Sequence, residues 1–219
     1  MTKNKQENKP AEDNKALQIK APNIRKATFT ITGTAPYVQL RFGQKAIHAM
    51  AEKMMAGSTS QKKKTRNARD FNEDFLQALH VSRDGWNGIP ASAFRAAIIS
   101  ACRLVNFKMT IAKLSVFVTG DGFDRVDDTP LIKIIGKPEP LMMHVRNATG
   151  VCDLRVRAKY TPWSAKVPMS FDGDQFTLQD VTNLMHRVGA QVGIGEGRPD
   201  SKSSTGMGWG TFEITKVEA

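Results

Sequence analysis

The stretch that decides the fold lies near the carboxyl end, where residues 193–210 read Gly-Ile-Gly-Glu-Gly-Arg-Pro-Asp-Ser-Lys-Ser-Ser-Thr-Gly-Met-Gly-Trp-Gly. Six of these eighteen residues are glycine, which permits positive φ and close approach of the backbone to a neighbour. The stretch follows a predicted helix, Thr177 to about Val188, and precedes a predicted strand, Thr211 to Val217. The stretch is not a Walker A loop, because none of its glycines is followed by Lys and then Ser or Thr. It is not a dinucleotide-binding loop either, because such a loop follows a strand and precedes a helix, whereas this stretch follows a helix and precedes a strand. Two interpretations stay open: the N–H groups cradle phosphate oxygens, or the glycines only make a tight crossover.

The segments upstream of this loop alternate between strand and helix patterns. Without an insertion at about 36–87, their order approximates βαββαβ, which predicts an α+β fold with a ferredoxin-like (RRM-like) core, an inserted basic subdomain and a C-terminal glycine-rich loop. Residues 1–26 are polar and predict a disordered tail, so that 27–219 form a single domain. The predicted strands are 27–32, 114–118, 131–135, 141–145, 152–160 and 163–171, and the predicted helices are 43–55 and 93–105, with 71–81 open to either state.

The charge balance indicates what class of partner to expect. The 219 residues include 32 basic and 21 acidic ones, a formal net charge of +11, which favours a polyanionic partner and most often nucleic acid. Two cysteines without close spacing exclude a disulfide scaffold and a zinc finger and fit the reducing cytoplasm. No apolar stretch approaches the ~20 residues that span a bilayer, and the amino terminus lacks the apolar core of a secretory signal. We therefore expect a cytoplasmic protein that does not bind membranes.

Two motifs resemble the RAMP superfamily, the RNA-binding subunits and processing nucleases of CRISPR systems. Gly193-Ile-Gly195 and Gly206-Met-Gly208 are similar to the family's C-terminal loop, in which two Gly-hydrophobic-Gly units flank a variable basic segment. Residues 88–98, Gly-Ile-Pro-Ala-Ser-Ala-Phe-Arg-Ala-Ala-Ile, resemble the Ile-Pro-Gly-Ser-Ser-Leu-Lys-Gly helix start of the backbone-type subunits. Ala91, Phe94 and Arg95 stand where that pattern has Gly, Leu and Lys. The chain is shorter than typical backbone subunits, which indicates a divergent member of the kind that a phage or another mobile element encodes.

The resemblance implies that both motifs contact an RNA backbone. A helix N-terminus, a hydroxyl, a guanidinium and a glycine nest together form a phosphate binder that does not depend on base sequence. Arg95 could equally be a solvated arginine on the helix surface. The residues implied are Ser92, Arg95, Gly193, Gly195, Gly197, Arg198, Lys202, Gly206, Gly208 and Trp209, the last as a stacking surface.

Two further basic runs are candidate binding surfaces. The first is a polar segment with five cations in eight residues, in the interval where RAMP backbone subunits carry an insertion that folds over the guide strand. The second lies on a predicted strand, where alternation places its cations on one face. Either run could instead be a solvated charged surface. The first run is Lys62, Lys63, Lys64, Arg66 and Arg69, and the second is Arg155 and Arg157 with Lys159.

No catalytic motif stands out, and the four histidines lack metal-ligand spacing, so we expect no metal and no cofactor. Some RAMP backbone subunits cut bound RNA with an aspartate that precedes the Ile-Pro stretch. Asp74 and Asp84 lie in that interval. Each is otherwise an ordinary acid, on a helix surface and in a turn respectively.

We therefore expect a non-enzymatic protein that binds single-stranded nucleic acid independently of sequence, with RNA favoured over DNA. Its other partners would be further copies of itself, in a filament along the strand, or a ribonucleoprotein. Two alternatives remain. One is a RAMP-type endoribonuclease that uses Asp74 or Asp84, and the other is an assembly or inhibitor protein that joins or mimics a ribonucleoprotein complex.

Overall fold

The computed structural model describes residues 19–57, 69–146, 150, 152–201 and 206–219. Within these ranges the chain is a mixed α/β protein with two antiparallel sheets and five α-helices. A 3-10 turn, Cys102–Val105, follows the third helix, and a π turn, Val188–Val192, follows the fifth. The strands are β1 (Ile24–Gly33), β2 (Tyr37–Gln39), β3 (Gly88–Pro90), β4 (Val116–Val118), β5 (Gly122–Phe123), β6 (Pro130–Ile135), β7 (Pro138–Arg146), β8 (Cys152–Tyr160), β9 (Ser164–Asp172) and β10 (Phe212–Glu218). The helices are α1 (Gln44–Met55), α2 (Phe71–Ala78), α3 (Ala91–Ala101), α4 (Met109–Ser115) and α5 (Leu178–Arg187).

The larger sheet has the order β10-β1-β9-β6-β3, with β4 also paired to β9 and β5 to β6. Every neighbouring pair is antiparallel. Alternate residues of β9 are buried, from Ala165 to Phe171, as expected of a strand with one face on the core. Helices α3 and α5 contact each other and this sheet, and the ring of Phe94 on α3 meets that of Phe212 on β10 with centroids 6.3 Å apart. The core therefore lies between this sheet and these two helices.

The smaller sheet has the order β2-β8-β7 and is built from two separate stretches of the chain. Strand β2 belongs to the predicted insertion at about 36–87, whereas β7 and β8 form a hairpin between β6 and β9. Helix α2 packs against β8. The smaller sheet therefore depends on a hairpin that comes later in the chain. The sequence predicted the two strands of this hairpin but not their pairing with β2.

One predicted strand is partly wrong. The sequence predicts a strand over 114–118, but α4 occupies Met109–Ser115 and the strand begins at Val116. Ala112 and Ser115 are buried on one side of α4, and the hydroxyl of Ser115 donates to the Ile111 carbonyl four residues earlier. Helical spacing of small buried residues decided the conformation there, against the β-branched residues that follow.

Other boundaries differ as well. Strand β1 begins at Ile24 rather than Ala27, because Arg25 and Lys26 pair with Phe171 and Ser170 of β9. Of the predicted tail, residues 1–18 lie outside the described residues, as do 58–68 of the predicted basic loop. Helix α3 begins at Ala91, with Pro90 at the N-cap. No helix in the described ranges is both long and apolar enough to cross a bilayer.

Candidate nucleic-acid interface

A cavity of about 540 Å³ separates α3 from the glycine-rich segment 193–210, called here the glycine loop. Its lining includes Pro90 and Ala93 from the start of α3, and Gly195 and Arg198 from the loop. We call it the loop cavity. The two motifs that carry the sequence resemblance therefore lie against the same space, although about 100 residues separate them. Its other lining residues are Tyr37, Gln39, Leu40, His80, Ala96, Ala97, Ser100, Val192, Ile194, Glu196, Asp200 and Ser201.

The glycines at the two ends of the loop are required by packing. A Cβ on Gly210 would lie 1.8 Å from the carbonyl oxygen of Ile194, and one on Gly195 would lie 2.5 Å from that of Val38. On Gly197 it would lie 2.5 Å from the Trp209 ring, and on Gly193 it would lie 2.8 Å from Pro199. All four have positive φ. These positions support the tight-crossover interpretation, because the contacts that exclude a side chain come from the protein itself.

Gly206 and Gly208 differ from the other four glycines. Both have positive φ, 67° and 72°, and a Cβ at either would meet nothing within 4 Å. Met207 between them is half exposed. At Gly208, left-handed backbone with open space beside it is where a ligand could approach closely. Lys202, predicted to act beside them, lies outside the described residues.

The acidic groups of the loop cavity are each held by an arginine. Arg157 forms a bidentate pair with Glu196, in which Nη2 lies 2.9 Å from Oε1. Arg103 Nη2 lies 2.7 Å from Asp200 Oδ1, and the hydroxyl of Ser100 also donates to Asp200. The hydrogen bond from Ser100 and the nearby Arg103 hold the pKa of Asp200 below its ordinary value. Arg157 and Arg103 balance the two carboxylates from outside the lining, and Arg198 adds one further cation to the cavity.

Arg198 lines the loop cavity, whereas Trp209 packs within the glycine loop. Nη1 of Arg198 donates to the carbonyl of Gly195 at 2.9 Å, which fixes the guanidinium beside the cavity. The Trp209 ring covers Gly197, and both residues are partly exposed. The loop thus presents one positioned cation and one partly open aromatic ring.

At the start of α3, Ser92 and Arg95 have different surroundings. Ser92 is exposed in the first turn of the helix. Arg95 donates through Nε to the Val116 carbonyl at 3.1 Å and through Nη2 to the Lys113 carbonyl, and it stacks on Phe117. It therefore supplies hydrogen bonds to the C-terminal end of α4, a contact that the sequence interpretation did not foresee.

A second cavity, of about 510 Å³, lies beside the first and is lined by four arginines. We call it the arginine cleft. Arg69 donates to Asp74 through Nε at 3.0 Å and to the Leu154 carbonyl through Nη1 at 2.6 Å. The cleft shares Leu40 with the loop cavity. Its full lining is Leu40, Arg41, Phe42, Gly43, Ala49, Arg69, Asp74, Gln77, Arg155, Val156 and Arg157.

Only part of the predicted basic face of β8 is exposed to solvent. The side chain of Arg155 is 41% exposed, whereas that of Arg157 is 3% exposed and is paired with Glu196. Lys159 lies 4.0 Å from Glu139. Arg157 is thus placed to join β8 to the glycine loop, and this burial argues against direct contact between Arg157 and a strand. Lys62, Lys63, Lys64 and Arg66 lie outside the described residues, so their role stays a prediction.

The two acids considered for catalysis lie in different environments. Asp74 is on α2 and lines the arginine cleft with its side chain 33% exposed. Asp84 is exposed in the turn after Ser82 and lines neither cavity. No group of histidine, cysteine or carboxylate side chains suited to hold a metal ion occurs in the ranges that the structure describes.

Sequence reasoning missed a buried cluster that lies between the two cavities. Asp124 is fully buried, with Oδ2 2.9 Å from Nδ1 of His80 and Oδ1 3.4 Å from Nη2 of Arg41. His80 lines the loop cavity and Arg41 lines the arginine cleft. Residues 121–128 contain four aspartates, and only the fold places Asp124 beside these cations.

No protein-family profile and no curated protein matches the sequence. A solved structure similar to this chain is the cryo-EM structure of the type III-B Cmr-beta bound to cognate target RNA, with a TM-score of 0.48 and 14% sequence identity. The similar region covers 90% of this chain and 60% of that chain, so this chain spans less than two thirds of the length of its neighbour. The similarity is distant.

Proposed function

We propose that this protein binds single-stranded nucleic acid independently of base sequence, with RNA favoured over DNA. One observation carries the proposal: the start of α3 and the glycine loop, which are far apart in the sequence, line one cavity. Groups of this kind recognise the sugar-phosphate chain and position it without reading the bases.

The chemistry at the start of α3 suits a phosphate. The helix has eleven residues, no acidic side chain in its first turn and no side chain capping its N-terminus. Free N–H groups at such an end attract an anion, and the exposed hydroxyl of Ser92 can donate to the same group. Arg198 lines the same cavity as Pro90 and Ala93 from the start of α3, while Gly208 offers backbone that a ligand can approach. The sugar-phosphate chain would then be held from two sides.

We propose in addition that the core is ferredoxin-like and that the chain is a divergent RAMP protein. Taken in chain order, β1, α3, β6, β9, α5 and β10 have the order of a βαββαβ unit, and their strands lie in the sheet order β10-β1-β9-β6. An antiparallel sheet in which the first and third strands are central is the arrangement of a split βαβ fold. The two motifs of the sequence resemblance then stand at the first helix and before the last strand.

We propose that the protein is cytoplasmic and that its copies associate with one another. Helix α1 leaves Met50, Met54 and Met55 exposed, and exposed apolar side chains grouped on one element favour contact with another protein surface. A head-to-tail contact between copies would extend the binding surface along a strand. Light scattering with and without a 30-mer would show whether assembly depends on the strand.

Binding of a fluorescently labelled 30-mer across a salt series tests the function. We expect affinity at low salt for RNA and for DNA of unrelated sequences, with log K falling by roughly 0.7 per phosphate contacted for each tenfold rise in salt. Arg198→Gln should weaken binding and reduce that slope. Arg187→Gln, on α5 and away from both cavities, is the charge-matched control. Absence of binding at low salt, or binding that ignores salt, would contradict the proposal.

Cleavage of the bound strand is a second function, favoured by the position of Asp74 in the arginine cleft. The Asp74 carboxylate faces the cleft and is held by Arg69, so it could act on a strand that lies there. Asp74→Ala should abolish cutting of a 30-mer in the presence of a divalent metal, whereas Asp84→Asn should not. RNA that stays intact after long incubation with the wild-type protein would reject this function.

The alternative of an assembly or inhibitor protein is separated by what co-purifies with the chain. A 260/280 nm absorbance ratio typical of protein alone, together with a co-purified protein partner, would favour it over strand binding. A ratio raised by nucleic acid that nuclease treatment then lowers would favour strand binding.

A further inference from the structure

The arginine cleft contains an arginine whose hydrogen-bonding groups are not fully used. The side chain of Arg41 is 9% exposed, and its buried Nε has no hydrogen-bond partner among the residues that the structure describes. Its ion pairs with Asp124 and Asp127 are both 3.4 Å long, beyond the usual 2.7–3.2 Å of an N–H···O hydrogen bond. Arginine has five N–H donors, and buried donors are normally satisfied. Arg41 is therefore held in place by loose contacts that leave donors for another acceptor.

The N-terminus of α1 lies against the same cleft. Phe42 and Gly43 line the cleft, and Gly43 is the N-cap of this twelve-residue helix. No side chain caps it and its first turn contains no acidic residue. The first N–H groups of a helix need acceptors, and an anion at that end is stabilised by the helix dipole. The helix end and Arg41 are adjacent in sequence and line one space.

The charges on the cleft wall favour an anion as the missing acceptor. Among the described residues, four arginines and one acid, Asp74, line it. Each arginine is also paired with at least one carboxylate, as Arg157 is with Glu196. The Asp153 carboxylate pairs with Arg69 at 3.2 Å and with Arg155 at 3.4 Å. These two ion pairs keep both guanidinium groups in position. A tetrahedral oxyanion can accept from several such donors at once.

We propose that the arginine cleft is an oxyanion site that takes one phosphodiester group of the bound strand, with Arg41, Arg155 and the first turn of α1 as its donors. The inference rests on the proposed strand binding and adds a second contact region, distinct from the loop cavity. Since the two cavities meet at Leu40, a strand would pass from one to the other over that side chain. Asp124 would then hold Arg41 on the cleft side and His80 on the cavity side.

Two arginine variants test the site with the labelled 30-mer. Arg41→Gln and Arg155→Gln should each lower affinity roughly tenfold at low salt and reduce the salt slope by about 0.7, the amount expected for one phosphate contact on a single strand. Arg187→Gln has the same loss of charge outside the cleft and should leave both quantities unchanged. Thermal melting of each variant checks the fold. If Arg41→Gln unfolds because Asp124 loses a partner, Arg155→Gln, whose side chain is more exposed, decides the question.

The results distinguish failure of the proposed cleft site from failure of the proposed strand binding. A wild-type protein that fails to bind the 30-mer overturns both proposals. Wild-type binding with cleft variants that behave like Arg187→Gln overturns the site and leaves strand binding standing. A third arm adds inorganic phosphate to the protein without a strand. A rise in melting temperature that both cleft variants lose, combined with unchanged strand binding, would assign the cleft to free phosphate and overturn the strand contact.

Discussion

Gly208 and Gly210 have nearly the same left-handed backbone, with φ of 72° and 68°, yet only Gly210 is closely packed. The Gly210 carbonyl accepts from the Ile194 N–H at 3.0 Å, and a Cβ there would overlap the Ile194 carbonyl oxygen. Left-handed backbone costs a residue with a side chain about 1–2 kcal/mol, and overpacking adds about 1–3 kcal/mol. We expect Gly210→Ala to lower the free energy of unfolding by about 2–5 kcal/mol, and Gly208→Ala by about 1–2 kcal/mol.

Urea unfolding of the two variants beside the wild type measures this difference. Gly208→Ala is the matched control, since it has the same backbone strain without the overlap. Equal losses for both variants would mean that the loop relaxes around a side chain at position 210. The packing around Gly193, Gly195 and Gly197 would then also be less restrictive than the distances indicate.

The glycine loop shows what residue types can and cannot predict. The sequence indicated a loop with special backbone between a helix and the last strand, and the positive φ values agree with that. It could not separate the glycines packed against Val38 or Ile194 from Gly208, which has open space beside it, because the neighbours come from distant parts of the chain. For the same reason, the sequence predicted Arg157 to be a surface cation, because its partner Glu196 lies 39 residues away along the chain.

At the level of elements, the N-terminus of α5 contains a capping box formed by Thr177 and Asp180. Thr177 Oγ1 accepts from the Asp180 N–H at 3.1 Å, and Thr177 donates through its own N–H to the Asp180 carboxylate at 2.9 Å. The Thr177 hydroxyl also donates to that carboxylate, and it is the main cause that holds the pKa of Asp180 below its ordinary value of 3.8. Thr177→Ala should cost about 1 kcal/mol of unfolding free energy at pH 7.

This cost should depend on pH with a defined sign. A carboxyl whose pKa is lowered by folding adds stability above its unfolded pKa, and the contribution is lost as the pH falls through the folded value. The difference between wild type and Thr177→Ala should therefore be largest near neutral pH and shrink in acid. Thr182→Ala, in the same helix and bonded to the Leu178 carbonyl, should show a loss that does not vary with pH. Urea unfolding from pH 7 to pH 3 makes the comparison, and a constant Thr177→Ala loss would contradict it.

Long elements with regular patterns were predicted from sequence, and short ones were not. β9 and α5 have clear periods of burial. β2, β3 and β5 have two or three residues each, which is too few for a period to appear. Helix α4 has seven residues and no side-chain cap, and Arg95 from α3 supplies hydrogen bonds to its last carbonyls. Its stability depends on a contact that no local pattern contains.

At the scale of the whole molecule, the glycine loop connects the two sheets. The Glu196 N–H donates to the Val38 carbonyl of β2 at 2.8 Å, and the Gly210 N–H donates to the Pro36 carbonyl at 2.8 Å. Arg157 on β8 pairs with Glu196. The segment that the sequence identified as a binding loop is therefore also the joint that sets the position of the arginine cleft relative to the loop cavity.

The contribution of the Arg157–Glu196 pair to the free energy of unfolding can be measured with variants of the two residues. Removing one member of a fully buried pair typically costs about 3–5 kcal/mol. Here the Arg157 side chain is 3% exposed and that of Glu196 is 34% exposed, so solvent screening should reduce the cost of Glu196→Gln to about 2 kcal/mol. In the double variant Arg157→Met with Glu196→Gln, no buried charge is left unpaired. The double variant should therefore lose less stability than the sum of the two single variants.

The same variants decide whether Arg157 binds the strand or holds the sheets together. If its role is structural, the double variant should keep wild-type affinity and salt slope for the labelled 30-mer at a temperature where it is folded. Arg155→Met, two residues along the same face of β8 with its side chain 41% exposed, should lower both. A double variant that loses as much affinity as Arg155→Met while remaining folded would show that Arg157 contacts the strand directly. The pair with Glu196 would then have to open on binding, because the guanidinium cannot serve both carboxylate and phosphate in its present buried position.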